Sequence, residues 1–223
     1  MPRNVLTTVV TPAPSIDMID LATVKDDWQI TTTTDDPYLT RAITRCSRAA
    51  ANFCNRTFAI ETVQDLLTMS QDKWPGAVIE RPDLIQLTRW PIVAVTSVTV
   101  DGTTLVEGTD FLTDQTNGQL QRLNAYGSMR AWTGKTITII YSAGYVLPGQ
   151  AAVTGAQNLP DDITDAVSRM VYTRIAERQR DPLVKSETIE GVGSTTYIVP
   201  NADGNLSPDV VDILDNYRVT VVG

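Results

Sequence analysis

An α+β fold is predicted: a helical bundle of three to four helices with an inserted small antiparallel β-sheet and an extended C-terminal arm. Two shifts of apolar period and one of composition predict it. Apolar residues recur every three or four positions over residues 37–55 and again after Pro160, the spacing of amphipathic helices. Between Thr57 and Tyr145 the period becomes two, and beyond Arg180 the chain turns polar and glycine-containing. These changes divide it into an extended N-terminal arm (1–15), a helical core (16–56 and 159–182) and an inserted β subdomain (57–146). A loop (147–158), an extended arm (183–206) and a C-terminal helix with its tail (207–223) complete it.

"TVVTPAPSIDMIDLATVKDDWQI" starts as an extended, proline-punctuated arm and becomes a short helix over residues 21–29, with Leu21, Val24 and Trp28 on one face. "TTTTDD" breaks it. Asp36 followed by Pro37 reads as a helix start, the carboxylate capping free N–H groups and proline losing nothing at the first position. From there Leu39, Ala42, Ile43, Cys46, Ala49, Ala50 and Phe53 form an apolar stripe, while Arg41, Thr44, Arg45, Arg48 and Asn52 face away.

"LIQLTRW", "IVAVTSVTV" and "KTITIIY" read as strands, and Asp101-Gly102 and Asn117-Gly118 as two hairpin turns. "GYVLPGQAAVTGAQNLP" reads as loop. After Pro160, Asp161 or Asp162 caps a helix whose stripe of Ile163, Ala166, Val167, Met170, Val171 and Ile175 runs to about Arg180. Arg178 and Arg180 at its C-terminal end face the negative end of the helix dipole, worth about 0.3 to 1 kcal/mol each. Ser207-Pro208 opens a last helix with a narrow face of Val210, Val211, Leu214 and Tyr217, and the chain closes on "VTVVG".

At 223 residues and 42% hydrophobic the chain can bury a substantial core. No stretch reaches the roughly 18 to 20 apolar residues of a membrane helix, and "MPRNVLTTVVTPAPS" lacks a basic leader and apolar region, so neither membrane insertion nor export is expected. Histidine is absent, which removes the commonest general base, the commonest metal ligand and the usual partner of a serine or cysteine nucleophile. Twenty-six acids against 18 bases argue against gripping nucleic acid through counterion release. Cys46 and Cys54, eight positions apart in one helix, stand roughly 12 Å apart. A disulfide tolerates about 7 Å, so both are expected to be reduced, buried and cytosolic.

The acidic pairs Asp26-Asp27, Asp35-Asp36 and Asp161-Asp162 have the composition of glycosidase acids or cation ligands, but they lie at helix starts and on helix surfaces, where capping and solvation account for them. "DGNLSPD" lacks the spaced acids and final glutamate of a calcium loop, and Gly191-Val192-Gly193 lacks the strand before and helix after it that a phosphate loop needs. Trp28, Trp74, Trp90 and Trp132, with Tyr126 and Tyr145, either form a ligand platform on the sheet or pack in the core and between subunits; packing is favoured.

The order of segments resembles that of the tailed-phage head-to-tail connector (adaptor, head-completion) protein family. "DLATVKDDWQI" followed by "TTTTDDPYLTRAITRCSRAAANFCNRTF" is similar to its opening pair of helices. "LPDDITDAVSRMVYTRIAERQRDPLVKSETIEGVGSTTY" is similar to its long basic-ended helix and following arm, and "LSPDVVDILDNYR" to its final helix. The sheet-like insertion and the apolar tail after Arg218 depart from the shortest, all-helical members.

The resemblance implies a non-enzymatic structural protein without cofactor, assembled in the host cytoplasm and resident in the virion neck. It implies a dodecameric ring bound below the portal protein, extending the channel through which double-stranded DNA passes without sequence-specific binding, and presenting a surface to a neck stopper or tail protein. Carried onto this chain, it makes Leu214, Tyr217, Arg218, Val219, Val221 and Val222 portal-docking candidates. Arg174, Arg178, Arg180, Lys185, Ser186, Glu187 and Tyr197 become candidates for pairing with the next copy, the arm 186–197 crossing between subunits. A heterologous ring contact needs two different faces, and a basic helix end meeting an acidic neighbour supplies them. The alternatives are a stopper or tail-completion protein of the same neck and, from another class, a carbohydrate-binding or hydrolytic virion domain using the tryptophans and paired aspartates.

Overall fold

In the computed structural model, residues 4–68, 83–178, 186–189, 193–196 and 206–219 are described. The chain forms two compact units, one built mainly of strands from residues 1–15, 57–146 and 150–158, the other mainly of helices from residues 16–56, 147–149 and 159–223.

The sheet unit contains β1 (Asn4–Thr11), β2 (Glu61–Thr68), β3 (Leu84–Gln86), β4 (Ile92–Val100), β5 (Thr103–Leu105), β6 (Phe111–Asp114), β7 (Gln119–Arg122), β8 (Thr136–Ala143), β9 (Tyr145–Val146) and β10 (Gln157–Asn158). Its main sheet is five-stranded, in the order β1-β2-β8-β4-β5, with every pairing antiparallel. A second sheet runs β3-β7-β6. Alternation along β8 buries Ile137, Ile139, Tyr141 and Ala143, which join Val63 and Leu67 of β2, Val98 of β4 and Trp132 in one apolar core.

The sheet is therefore larger than the small insert expected from the sequence, and it is not confined to the segment between the helices. Its edge strand β1 comes from the N-terminus and pairs with β2 from Asn4↔Thr68 to Thr11↔Thr62. The extended character of that segment was legible, but its partner lies far along the chain. Asp101-Gly102 does form the expected two-residue turn, with φ of 49° and 84° and Val100 opposite Thr103. Asn117-Gly118 instead lies in a four-residue loop, because Asp114 and Gln119 are the last pair. There Asp114 accepts hydrogen bonds from the Asn117 backbone and side chain, and Gly118 has φ 67°. A Cβ on Gly118 would stand 2.7 Å from that of Trp90. The segment expected as plain loop carries β10, paired parallel to β9.

The helical unit contains, among the described residues, α1 (Leu21–Asp27), α2 (Asp36–Phe53), α3 (Asp161–Arg178), the strands β11 (Ser186–Ile189) and β12 (Gly193–Thr196), and α4 (Pro208–Asp215). Asp20 caps α1 by accepting from Thr23 N at 2.8 Å. At α2 the expected cap, Asp36, falls inside the first turn. Asp35 occupies the cap position without a side-chain bond to the helix N–H groups, and the Asp36 carboxylate takes the Lys25 ammonium at 2.8 Å. Leu39, Ala42, Ile43, Cys46, Ser47 and Ala50 of α2 are buried, as are Ile163, Ala166, Val167 and Val171 of α3. Within the segment expected as an extended arm, Ser186–Ile189 and Gly193–Thr196 pair antiparallel, Ser186 opposite Thr196 and Ile189 opposite Gly193.

Candidate functional site

Three sets of hydrogen bonds fix the directions of the helices. Tyr38 near the start of α2 donates its hydroxyl to the Arg174 carbonyl near the end of α3 at 3.1 Å, so these two helices run antiparallel. Arg169 bonds Asp209 at the start of α4 at 3.0 Å, and Asp162 accepts from Tyr217 just past its end, so α4 also runs antiparallel to α3. At α1, Trp28 stacks on Tyr172 with ring centroids 3.9 Å apart and donates its indole N–H to Ser168, whose hydroxyl donates to Asp27 at 2.7 Å.

One end of this unit gathers the basic residues. The Arg178 guanidinium lies 2.8 Å from Asp35 and covers the Tyr38 ring at 4.6 Å. Arg174 is half-buried beside it, its carbonyl held by Tyr38. The Arg178 guanidinium is thus engaged by its own chain, and Asp35 and Tyr38 are the partners that sequence spacing alone did not connect to it. Arg180, Lys185 and Tyr197 lie outside the described residues, and of Ser186 and Glu187 the strand pairing is described.

The other end gathers the C-terminal candidates. The C-terminus of α2 closes in a Schellman cap: Asn55 takes φ 51°, its N–H bonds the Asn52 carbonyl at 3.2 Å, and Arg56 N–H bonds that of Ala51 at 3.2 Å. This turn presents backbone to the chain leaving α4. Val219 N–H donates to the Cys54 carbonyl at 2.9 Å, and the Asn55 amide donates to the Val219 carbonyl at 3.4 Å. Tyr217 donates its hydroxyl to the Asp162 carboxylate at 2.7 Å. Arg218 is exposed, its guanidinium 5.2 Å from the Phe53 ring centroid and 3.5 Å from Asp215.

Leu214 is 0% exposed, packed inside the unit with its carbonyl accepting from the Cys54 thiol at 3.4 Å. Burial pushes that thiol up to about 11. Neither Cys46 nor Cys54 is in a disulfide, and both are buried. Val221 and Val222 lie outside the described residues. The 18 residues of α3 span about 27 Å, so the two candidate sets stand at opposite ends of one helix.

Trp132 is fully buried in the sheet unit, its indole N–H donating to the Leu120 carbonyl at 3.3 Å, and so packs in the core; Trp28 packs within the helical unit, and Trp74 lies outside the described residues. The paired aspartates have structural partners: Asp27 with Ser168, Asp35 with Arg178, Asp36 with Lys25, and Asp162 with Tyr217. Among the described residues no group of three or more His, Cys, Asp or Glu side chains is arranged to hold a metal ion, and no helix is long and apolar enough to cross a membrane.

The arrangement defines a protein of contacts: a helical unit whose two ends carry different charged and aromatic groups, held in place by hydrogen bonds within the chain. The chain belongs to the head completion protein family, which matches residues 17–220. That is a structural family, not one of enzymes. Among solved structures the fold is shared with a chain from the neck of an empty GTA particle, at 16% identity, 98% coverage of both chains and a TM-score of 0.53. It is also shared with a chain from the virion of a native gene transfer agent particle, at 19% identity, 98% coverage of both and a TM-score of 0.53. No curated protein matches the chain.

Proposed function

We propose that this head completion protein resides in the virion neck of a tailed-phage-like particle, where copies form a dodecameric ring beneath the portal. The ring extends the DNA channel without reading sequence, and its far side meets a stopper or tail protein. In this function the helical unit forms the body of the ring, the segment 186–197 reaches a neighbouring copy, and the segment from Tyr217 onward docks on the portal.

The observation that carries this reading is the separation of two unlike contact ends on α3, because a connector must present different surfaces to different partners. The family match over residues 17–220 supports it, as does the fold shared with neck and virion chains of gene transfer agent particles. Burial of Leu214 moves its contribution to holding α4 in place, leaving Tyr217, Arg218 and Val219 with the tail beyond them as the docking segment.

Purified protein mixed with portal rings and imaged by electron microscopy tests the proposal. Two variants accompany it: a chain ending at Tyr217, and a full-length chain carrying Val221→Asp and Val222→Asp, which retains the Val219 bond to Cys54. A collar from the natural chain that both variants lose is expected. A collar from all three discards the docking segment, and no collar from any folded chain overturns the connector reading.

A further inference from the structure

One face of α2 has no role in the contacts described above. Arg41, Arg45 and Arg48 recur at helical spacing over about 10 Å of axis. All three are exposed, and they lie roughly opposite the stripe that buries Leu39, Ile43, Cys46 and Ala50. After Asp36 the helix contains no acid. Among the described residues no carboxylate pairs with any of the three guanidiniums and no aromatic ring receives them.

The same unit carries the opposite charge elsewhere. Asp209, Asp212 and Asp215 follow one another at every third position of α4, and all are exposed. Asp161 and Asp165 are exposed at the start of α3, joined to α4 through Arg169, which bonds both Asp165 and Asp209. Among the described residues Asp161 and Asp212 have no cation partner.

We infer that the arginine row of α2 docks on the acidic α3–α4 surface of a second copy of this chain, forming the repeating contact of the ring. The inference rests on the ring reading above and changes its residues: Arg178 of α3, already held by Asp35 and Tyr38, gives way to α2. Charge complementarity selects this partner. A chain of formal net charge -8 repels other copies of itself unless cations of one copy meet surplus acids of the next, and every copy carries both surfaces. The two surfaces differ, so a head-to-tail contact between them can repeat from copy to copy, and it forms a ring where the rotation closes. Three guanidiniums along a helix could also face a nucleic-acid backbone; the surplus of acids makes that the weaker alternative, and the test separates the two.

The experiment uses two full-length variants: Arg41→Glu with Arg45→Glu and Arg48→Glu, and Asp161→Lys with Asp212→Lys. All substituted side chains are exposed, and circular dichroism confirms that each variant folds. Assembly on portal rings is followed by imaging and sedimentation. Each variant alone is expected to raise the concentration needed for half-assembly by roughly ten-fold or more. An equal mixture is expected to restore it, because each altered face then meets a complementary altered face and each natural face a natural one.

Rings from the arginine variant as readily as from the natural chain overturn the inference and leave the connector reading intact. Unchanged rings with loss of binding to a double-stranded DNA fragment overturn it in favour of nucleic acid. Loss of assembly without rescue in the mixture also overturns it. No ring from the natural chain under any condition overturns the inference together with the reading beneath it.

Discussion

The two units handle their carboxylates in opposite ways. In the sheet unit Asp65 of β2 is 0% exposed, in a row otherwise occupied by Val63 and Leu67. It accepts from the hydroxyls of Thr7, Thr88 and Tyr141 at 2.7 to 2.8 Å and from the Thr88 N–H at 2.9 Å. In the helical unit the ion-paired carboxylates described lie at or near the surface, as where Asp35 meets Arg178. A buried acceptor surrounded by donors ties β1, β2, β8 and the segment after β3 together and makes their register specific. Surface charges stabilise little and remain able to meet a partner. Specificity of fold is thus concentrated in one unit and capacity for assembly in the other.

Substituting Asp65 is the most direct way to break that comparison. Asp65→Ala would leave three hydroxyls and an N–H without their acceptor, and a loss of about 3 to 5 kcal/mol is expected in urea unfolding. Asp65→Asn, which keeps one acceptor oxygen, should cost less. A loss below about 1 kcal/mol for Asp65→Ala would show that the network is incidental.

Alkaline pH sharpens the comparison, since each unit contains a buried group that holds its proton more firmly than usual. Burial, reinforced by the Asp65 charge, raises the Tyr141 hydroxyl above its ordinary range, and burial pushes the Cys54 thiol up to about 11. For a group raised on folding, the stabilisation is complete below the unfolded value and fades as pH climbs toward the folded one. For Cys54 that window runs from its ordinary value near 9 to about 11. Urea midpoints should fall across it, and Cys54→Ala should flatten that fall; Tyr141→Phe should flatten the part above about pH 10. An unchanged slope in Cys54→Ala would remove the thiol from the account.

The smallest effect is expected at the surface. Arg178→Ala or Asp35→Ala should change stability by no more than about 1 kcal/mol, because both side chains are roughly half exposed. A larger loss would mean that the charged end of α3 holds the helical unit together.

Much of this architecture was legible in the residues. The stripes of α2 and α3 identify buried faces because helical periodicity is local, and Asp101-Gly102 announces its turn for the same reason. The place of β1 in the main sheet was not legible, since Thr7 and Asp65 stand 58 positions apart and nothing local names a strand's partner. The start of α2 was misplaced by one residue because Asp35 and Asp36 offer the same cap. At the C-terminal end the family resemblance names Leu214, Tyr217 and Arg218 alike as docking candidates, and the burial of Leu214 was not legible. A narrow apolar face on a short helix has the same pattern whether it covers its own core or a partner.

A cryo-electron microscopy map of the portal with this protein bound, detailed enough to trace α2 and α3, tests the central claim most directly. The account predicts a closed ring beneath the portal, with the Tyr217–Val219 end of the helical unit against it and α2 facing the neighbouring copy. A map that leaves the chain monomeric, or places it away from the portal, would contradict the account.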